Sequence, residues 1–217
     1  MSSTDRFQNP EVPERCLACI LAAGKGRRFG GPKQVADLGG RPLLSWAVEA
    51  ALGAGLWKVL VVTGHHAAQA SDALPQDPCL EILTNPEPEQ GMGSSLALAA
   101  RRALALKARV LVVLLGDMPL IQAATVSQVA ALAVKSAAGA AAARIGYRWG
   151  HPVAFGRQHF DELASLSGDQ GARKLIQRLG PELSLVQAPE WSNLDVDDPG
   201  QLEQAGKILQ GLRDGTL

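Results

Sequence analysis

Residues able to carry out chemistry are concentrated in a glycine-rich stretch near the start of the chain. Residues 21–34 read Leu-Ala-Ala-Gly-Lys-Gly-Arg-Arg-Phe-Gly-Gly-Pro-Lys-Gln, and their cationic side chains are those of Lys25, Arg27, Arg28 and Lys33. Glycines permit positive φ and let main-chain N–H groups approach a ligand without a Cβ in the way. Open N–H groups beside several cations bind phosphates. The stretch is therefore predicted to bind a nucleoside triphosphate, with a solvated basic turn as the alternative.

Two better-known glycine-rich loops do not match this stretch. The dinucleotide-binding fingerprint requires glycine at its first, third and sixth positions, but the sixth position counted from Gly24 is Phe29. The P-loop requires lysine and then serine or threonine directly after its last glycine, whereas Gly31 is followed by Pro32. A Rossmann-type NAD site and Walker-type hydrolysis are both disfavoured.

A carboxylate that could hold a cation follows the apolar run 110–115. This run has the composition of a buried strand, and Asp117 comes after it with only Gly116 between them. Mg²⁺ prefers oxygen ligands and commonly takes one or two carboxylates together with phosphate oxygens and water. Asp117 is therefore the first predicted metal ligand, and the alternative is a turn aspartate that binds local N–H groups.

Further carboxylates occur near the end of the chain, where residues 194–199 read Leu-Asp-Val-Asp-Asp-Pro. We interpret this segment as a short strand that leads into the last helix. Asp198 is predicted to cap that helix, with Pro199 in its first position. Side chains alternate along a strand, so Asp195 and Asp197 are expected to share one face.

Three other segments contain residues that could bind ligands. Residues 91–95 close a turn-rich loop at the start of a helix, which Ser94 or Gly93 could simply cap. His151 precedes Pro152 and is biased toward an extended backbone, which fits either a segment that covers an acceptor or a β-turn with a surface histidine. Arg173 lies where another helix is predicted to begin, and it either receives a phosphate or is an ordinary exposed arginine.

The elements that must position these residues alternate between short apolar runs and helical stretches. Strands are predicted at residues 16–21, 57–63, 80–84, 110–115 and 140–145. Helices are predicted at residues 42–54, 94–106, 125–138 and 199–212, and another is opened by residues 168–173 and runs to about residue 179. Such alternation predicts an α/β fold with a parallel sheet and helices on both faces. Ligands of such sheets bind beyond the carboxyl ends of the strands, where the glycine-rich loop would lie.

Composition and charge limit the classes of function. Lysine plus arginine and aspartate plus glutamate both number 21, so no overall field favours nucleic acid or membranes as partners. No apolar run reaches the length of a membrane span, and we expect a cytoplasmic protein. Residues 1–14 are predicted to be a flexible N-terminal segment and residues 15–217 to be one domain. Cys16 and Cys19 are predicted to lie on opposite faces of a strand, in the core, without metal or redox chemistry.

The glycine-rich stretch resembles the nucleotidyltransferase signature Leu-Ala-Ala-Gly-x-Gly-x-Arg-x-Gly-x-x-Lys. The resemblance extends over most of the chain after about residue 15, through residues 38–43, 91–95, 116–120, 150–153, 168–173 and 194–198. Together these segments are similar to the molybdenum cofactor cytidylyltransferase branch of the MobA-like nucleotidyltransferase superfamily. One departure is Asp-Asp-Pro at residues 197–199, where the branch more often has Asp-Thr-Pro.

The resemblance implies a fold, a metal and roles for individual residues. The fold would be a single-domain, three-layer αβα Rossmann-like nucleotidyltransferase fold with a mostly parallel twisted sheet. Mg²⁺ would bind Asp117 and Asp197, with Asp195 as the supporting neighbour of Asp197. Arg28, Lys33 and Asp117 would be catalytic, and His151 and Arg173 would bind the acceptor. The nucleotide would contact Leu21, Ala22, Ala23, Gly24, Gly26, Arg28, Lys33, Gly91, Ser94 and Ser95.

The activity that the resemblance implies is transfer of CMP from CTP to the terminal phosphate of molybdopterin or the molybdenum cofactor, releasing pyrophosphate. A molybdoenzyme or its maturation chaperone would be a possible partner. Guanylyl transfer to the same cofactor is an alternative, although its signature more often has Gly in place of Ala23. Sugar-phosphate nucleotidylyl transfer and a non-catalytic maturation factor are further alternatives. Retention of both loop cations and both carboxylates argues against the non-catalytic role.

Overall fold

A seven-stranded sheet forms the centre of the computed structural model, which describes residues 14–26, 28–169 and 171–216. Its strands are β1 (Cys16–Ala22), β2 (Lys58–Thr63), β3 (Leu80–Thr84), β4 (Val110–Leu115), β5 (Ala140–Ile145), β6 (Arg148–Gly156) and β7 (Ser184–Gln187). The strand order is β3-β2-β1-β4-β6-β5-β7. Strand β6 is antiparallel to β4 and β5, whereas the other neighbouring pairs are parallel. The predicted α/β fold with a mostly parallel sheet is confirmed.

Helices cover both faces of the sheet. They are α1 (Leu43–Gly53), α2 (Ala67–Asp72), α3 (Met92–Ala105), α4 (Ala123–Lys135), α5 (Phe160–Ala164), α6 (Arg173–Leu179) and α7 (Pro199–Asp214). Side chains of α1 and α4 pack in the core on one face, and side chains of α3, α5 and α6 pack in the core on the other. A smaller cluster joins α7 to the start of α1 through Ala205, Val196, Leu38 and Leu43. The result is the predicted three-layer αβα arrangement.

Strand β1 fixes where the glycine-rich loop begins. It is buried along its whole length and pairs in parallel with β2 on one side and β4 on the other. In the β1–β4 pair Leu21 lies opposite Leu115, and the N–H of Gly116 donates to the carbonyl oxygen of Leu21 at 2.9 Å. Parallel strands end at the same edge of a sheet, so the glycine-rich loop and Asp117 start side by side.

The structure corrects the prediction of a strand at residues 194–198. Residues 194–197 follow a short 3₁₀ helix, Glu190–Asn193, and are not part of the sheet. The N–H of Val196 donates to the carbonyl oxygen of Asp117 at 2.9 Å, so the segment attaches to the loop after β4 and not to a strand ladder. Asp195 is exposed and, among the described residues, makes no hydrogen bond or ion pair with Asp197. The structure therefore shows no contact through which Asp195 would support Asp197.

Other differences concern elements that were missed and the ends of elements. Strands β6 and β7 and helices α2 and α5 were not predicted, and α4 ends at Lys135 instead of residue 138. Residues 1–13 of the predicted N-terminal segment lie outside the described residues. In the part of the chain that is described, no helix has the length and apolar character needed to cross a bilayer.

The two cysteines of β1 occupy opposite faces of the sheet, as predicted. Cys16 packs in the core with α1 and α4, and Cys19 packs in the core with α3. Burial raises the pKa of the Cys16 thiol to about 11 and also raises the pKa of the Cys19 thiol. Both thiols are therefore protonated at neutral pH and poorly nucleophilic.

We expect iodoacetamide at pH 8 to modify neither Cys16 nor Cys19 in the folded protein, because both are buried and protonated. Cys79 is half-buried and is the only cysteine expected to react. Peptide mass spectrometry after alkylation, with and without urea, measures this directly. All three cysteines should react in urea; native modification of Cys16 or Cys19 at the rate of Cys79 would contradict the packing described for β1.

Candidate active site

The glycine-rich loop after β1 folds back on itself at Gly26. The N–H groups of Phe29 and Gly30 both donate to the carbonyl oxygen of Gly26 at 3.1 Å. Gly26 has a φ of +63°, and a Cβ at this position would lie 2.2 Å from the carbonyl oxygen of Gly31. Only glycine fits here. The turn brings Arg28 toward the sheet edge; Arg27 lies outside the described residues.

A buried glutamine that the sequence patterns did not reveal holds the start of this loop. Gln34 Nε2 donates to the carbonyl oxygens of Ala22 at 3.0 Å and Gly24 at 2.8 Å. With those two carbonyl groups bonded to Gln34, the loop has a fixed shape before a ligand arrives. Side-chain amides that bind backbone across a loop follow no fixed spacing, so no motif could have identified Gln34.

The charged side chains predicted from three separate segments meet beyond β1 and β4. Lys33 Nζ donates to Asp117 Oδ2 at 2.7 Å, Asp197 Oδ1 at 2.8 Å and the carbonyl oxygen of Val196 at 3.1 Å. Arg28 Nη2 lies 3.0 Å from Asp197 Oδ2. Because both carboxylates are bonded to one ammonium nitrogen, they are close enough to act on a single ligand. We call Lys33, Asp117 and Asp197 the charged cluster.

Mutual interactions keep Lys33 and Asp197 ionised at neutral pH. Burial alone would lower the pKa of Lys33, but its charge and hydrogen-bond interactions with Asp117 and Asp197 raise the pKa above its ordinary value. The hydrogen bond from Lys33 lowers the pKa of Asp197. The backbone N–H of Asp197 also donates to Gln201 Oε1 at 2.7 Å, and Gln201 completes the capping box with the predicted N-cap residue Asp198. The start of α7 thus fixes Asp197 in place.

The donor set of the charged cluster fits a hard divalent cation. Asp117 Oδ1 is buried and has no hydrogen-bond partner among the described residues. A buried carboxylate oxygen without a partner is costly unless a ligand supplies one. No group of three or more potential metal-ligating side chains occurs in the described ranges. A site built from Asp117 and Asp197 alone suits Mg²⁺ or Mn²⁺, which complete their coordination with phosphate oxygens and water.

A cavity of about 640 Å³ opens over the charged cluster and the glycine-rich loop. We call it the first cavity. Most residues predicted to bind the nucleotide line it, namely Leu21, Ala22, Ala23, Gly24, Gly26, Arg28, Lys33, Gly91 and Ser95, together with Asp117 and Asp197. Ser94 does not line the cavity. Its Oγ accepts a hydrogen bond from Asn85 Nδ2 at 2.8 Å and donates one to the carbonyl oxygen of Gly91 at 2.9 Å. Ser94 therefore stabilises the cavity wall formed by residues 91–95 without lining the cavity.

The wall formed by residues 91–95 is joined to the segment that precedes α6. The N–H of Gly93 donates to the carbonyl oxygen of Gly168, and the N–H of Gly168 donates to that of Gln90, both at 2.8 Å. Gly91 has a φ of +84°, and a Cβ there would lie 2.3 Å from Asp169 Oδ1. The N-cap of α3 is Gly91, so the interpretation of Ser94 or Gly93 as the cap is wrong.

One cluster at the mouth of the first cavity was not predicted. His65 Nε2 lies 2.5 Å from Glu89 Oε1, and Lys25 Nζ lies 3.5 Å from the same oxygen. These contacts connect the loop after β1 with the loops after β2 and β3. Lys25 was identified as a cation of the glycine-rich stretch, but His65 and Glu89 are 24 residues apart and share no motif.

A second cavity, of about 450 Å³, adjoins the first and contains the two residues predicted to bind the acceptor. The two cavities share Leu21, Met92 and Asp169 as lining residues. His151 lies in β6 and is half-buried, so its interpretation as a surface histidine in a turn is wrong. Arg173 begins α6 and is exposed, and among the described residues it makes no ion pair.

His151 is neutral in this environment. Burial lowers its pKa, and this effect outweighs the opposing contributions of the Val113 carbonyl and the Asp117 charge. Nδ1 of His151 lies 3.2 Å from the carbonyl oxygen of Val113 and donates to it. The other ring nitrogen, Nε2, is then a hydrogen-bond acceptor. His151 can bind a donor group of a ligand but does not offer a positive charge to a phosphate.

Comparison with known proteins agrees with this site. Residues 18–183 match the family described as the MobA-like NTP transferase domain. The chain belongs to this family. A member of this family is a nucleotidyltransferase, which uses a nucleoside triphosphate and an acceptor.

The relatives of this MobA-like nucleotidyltransferase include proteins with different names. The bifunctional protein GlmU of Pelobacter propionicus is 35% identical over 151 residues, which are 69% of this chain and 32% of GlmU. The chain thus spans about a third of the length of this relative. The purine catabolism protein PucB of Bacillus subtilis is 29% identical over 202 residues, covering 89% of this chain and 97% of PucB.

Solved structures show the same fold. The structure of Rv0371c from Mycobacterium tuberculosis matches with a TM-score of 0.75 at 27% identity, covering 89% of this chain and 98% of Rv0371c. A second structure of that protein is a complex with manganese and matches with a TM-score of 0.71 at 25% identity, with the same coverage. Binding of a divalent metal by this relative agrees with the donor set of the charged cluster.

Replacement of Gly91 tests the contact between the two walls of the site. We expect Gly91→Ala to lower the free energy of unfolding more than Gly30→Ala, measured by urea titration. Gly30 has a similar φ, +82°, but no atom lies within 4 Å of the position that an added Cβ would take, so its substitution costs only backbone strain of about 1–2 kcal/mol. Gly91→Ala adds a steric clash worth about 1–3 kcal/mol. An equal loss of unfolding free energy in the two variants would mean that Gly91 is not tightly packed against residues 168–169.

Replacement of Lys33 tests the electrostatics of the charged cluster. We expect Lys33→Met to lower the free energy of unfolding at pH 7 by about 1–3 kcal/mol, because two ionised carboxylates lose their shared partner. Because the pKa of Lys33 is raised, its charge stabilises the fold until the pH rises into the alkaline range. Because the pKa of Asp197 is lowered, its charge stabilises the fold above the acidic range, and this stabilisation is lost as the pH falls. The loss should therefore shrink below about pH 4, where Asp197 begins to lose the charge that pairs with Lys33.

Urea titrations of both proteins between pH 3 and pH 8 measure this pH dependence. Lys207→Met is the matched control, since Lys207 pairs with Glu203 on the exposed surface of α7. Its stability curve should follow that of the wild type at every pH. A loss for Lys33→Met that is as large at pH 3 as at pH 7 would show that the ion pairs do not stabilise the fold.

Proposed function

We propose that this protein transfers CMP from CTP to the terminal phosphate of molybdopterin or the molybdenum cofactor, releases pyrophosphate and requires Mg²⁺. The observation that carries the proposal is the position of the charged cluster in the first cavity, which shares Leu21, Met92 and Asp169 as lining residues with the second cavity. One cavity suits the triphosphate and the other suits the acceptor. The acceptor phosphate can then approach the nucleotide at their junction.

The reaction needs no covalent protein nucleophile, because the acceptor phosphate is already an anion. One of its oxygens attacks the α-phosphorus of CTP, and the bond from that phosphorus to the bridging oxygen of pyrophosphate breaks. The chief obstacle is the negative charge that builds up as two anions meet. Lys33 and Arg28, with the N–H groups of the glycine-rich loop, would offset this charge.

Asp117 and Asp197 would hold the divalent cation. When bound, such a cation neutralises and orients phosphate oxygens. Asp117 Oδ1 is buried and has no hydrogen-bond partner among the described residues, and a cation bound there would supply one. Lys33 keeps the two carboxylates together until the nucleotide arrives, and its ammonium group remains charged at neutral pH.

The choice of CTP rests on the two walls of the first cavity. Residues 22–24 read Ala-Ala-Gly and residues 91–95 read Gly-Met-Gly-Ser-Ser, which resemble the cytidylyl branch more than the guanylyl branch. Gly91 and Ser95 bring backbone and a small side chain to the cavity surface, where a base edge can form hydrogen bonds. Sugar-phosphate nucleotidylyl transfer remains an alternative of the same resemblance, so a sugar phosphate is the acceptor that must be tested against molybdopterin.

We expect pyrophosphate release only with CTP, Mg²⁺ and molybdopterin together, and not with GTP, UTP or a sugar phosphate. A coupled assay for pyrophosphate measures each combination. Asp117→Asn should lower turnover at least about 100-fold with little change in melting temperature, because it removes a carboxylate that acts on the reacting phosphates. Asp161→Asn changes an exposed aspartate that lines neither cavity and is the matched control.

Each other result assigns a different function. Faster release with GTP would overturn the choice of base, and release with a sugar phosphate alone would overturn the choice of acceptor. Wild-type turnover of Asp117→Asn would remove Asp117 from the metal site. Absence of release with every pair would favour a non-catalytic maturation factor.

A further inference from the structure

We propose that Trp149 is the residue that selects the acceptor, by stacking against a planar heteroaromatic ring held in the second cavity. This inference rests on the proposed function, in which the acceptor carries both a ring system and a phosphate. Trp149 is the second residue of β6 and pairs with Arg144 of β5. It was not singled out by any sequence motif. The acceptor that Trp149 would select is a fused nitrogen heterocycle with a phosphate side chain.

Two large apolar side chains that line the second cavity are exposed, and this is the first observation that supports stacking. Trp149 is 36% exposed and Met92 is 44% exposed, and both line this cavity. Large apolar side chains that remain accessible in a concave site are typical of ligand-binding surfaces. An indole presents a wide flat face, and a methionine side chain adapts to the ring that it covers. A planar ligand would remove both surfaces from water.

The floor of the second cavity is apolar, which disfavours a sugar. Val113, Val153 and Phe155 are almost fully buried, at 3%, 1% and 1% exposure, and they offer no hydrogen-bonding side chain. A sugar has hydroxyl groups around its whole ring, and several of them would lose water without a partner against this floor. A fused heteroaromatic ring has apolar faces and keeps its polar groups at the edge.

The polar residues of the second cavity match such an edge and a phosphate. His151 Nδ1 donates to the carbonyl oxygen of Val113, so its Nε2 can accept a hydrogen bond from a ring N–H. Arg173 is exposed and unpaired within the described ranges, so its charge is available to an anionic acceptor. Asp169 is the carboxylate of this lining; it is exposed, and hydration limits its repulsion of the acceptor phosphate.

The test uses the full chain and two probes, a 6-substituted pterin monophosphate and glucosamine 1-phosphate. Isothermal titration calorimetry without nucleotide gives Kd for each probe. We expect the pterin phosphate to bind more tightly, and Trp149→Leu to weaken its binding at least about fivefold, because the loss of one stacking partner has an effect of this size or larger. Trp149→Phe keeps a ring face and should stay within about threefold of the wild type.

Tyr147→Leu is the matched control. Tyr147 lies two residues earlier in the same hairpin and is 100% exposed, but it lines neither cavity, so its replacement should leave Kd unchanged. In the transfer assay Trp149→Leu should raise KM for the acceptor and leave KM for CTP as it is. A purely structural role of Trp149 would change both values.

Two results overturn the inference: an unchanged Kd for Trp149→Leu, or equal weakening by Tyr147→Leu. Rescue by Trp149→Phe separates stacking from loss of the fold. Transfer to molybdopterin with a wild-type acceptor KM in Trp149→Leu would refute the inference while the proposed function stands. Trp149-dependent binding of the pterin phosphate by a protein that transfers no nucleotide would refute the proposed function while the inference stands.

Discussion

The rest of the site depends on one ammonium group that is bonded to two carboxylates from distant parts of the chain. Lys33, Asp117 and Asp197 are partly buried, and none of them would be stable there alone because a buried charge requires a partner. The protein therefore needs a fold that brings the three together. Parallel pairing of β1 with β4 places Lys33 and Asp117 at one edge, and the Val196–Asp117 backbone bond adds Asp197.

The two cavities differ in their lining: the first is charged, and the second is mainly apolar. The first cavity contains the cations, the carboxylates and a glycine-rich loop whose carbonyl groups are held by Gln34. The second has an apolar floor, one neutral histidine and one arginine that is unpaired within the described residues. Backbone bonds between residues 90–93 and Gly168 hold the boundary between them, so a shift of one wall would move the other.

Much of the fold follows from local composition. Strands β4 and β5 were predicted with the bounds that the structure has, because continuous apolar runs between turn residues define buried strands. The predicted bounds of β3 also match, although β3 is an edge strand with half-buried and exposed residues. The four residues of β7 alternate between half-buried and exposed, too weak a pattern to identify a strand. Residues 194–197 have the alternation of a strand but bind a loop, since no neighbouring strand is available there. Pairing partners are not encoded in a local pattern.

The site was predictable where a residue type itself carries the chemistry. Charge at the ends of predicted elements identified Lys33, Arg28 and Asp117, and the family resemblance identified Asp197. The structure brings these four residues together. Gln34, Trp149 and the His65–Glu89 contact were missed because their roles depend on tertiary position. Ser94 was predicted to bind the nucleotide, but its hydroxyl is used by Asn85 and Gly91.

Whether Lys33 and Asp197 act as one unit on the nucleotide can be measured by a double-mutant cycle. The quantity is kcat/KM for pyrophosphate release by the wild type, Lys33→Met, Asp197→Asn and the double variant. We expect strong coupling, with an interaction energy above about 1 kcal/mol and a double variant little worse than the poorer single variant. Effects that add to within about 0.5 kcal/mol would contradict a shared role in binding one polyphosphate.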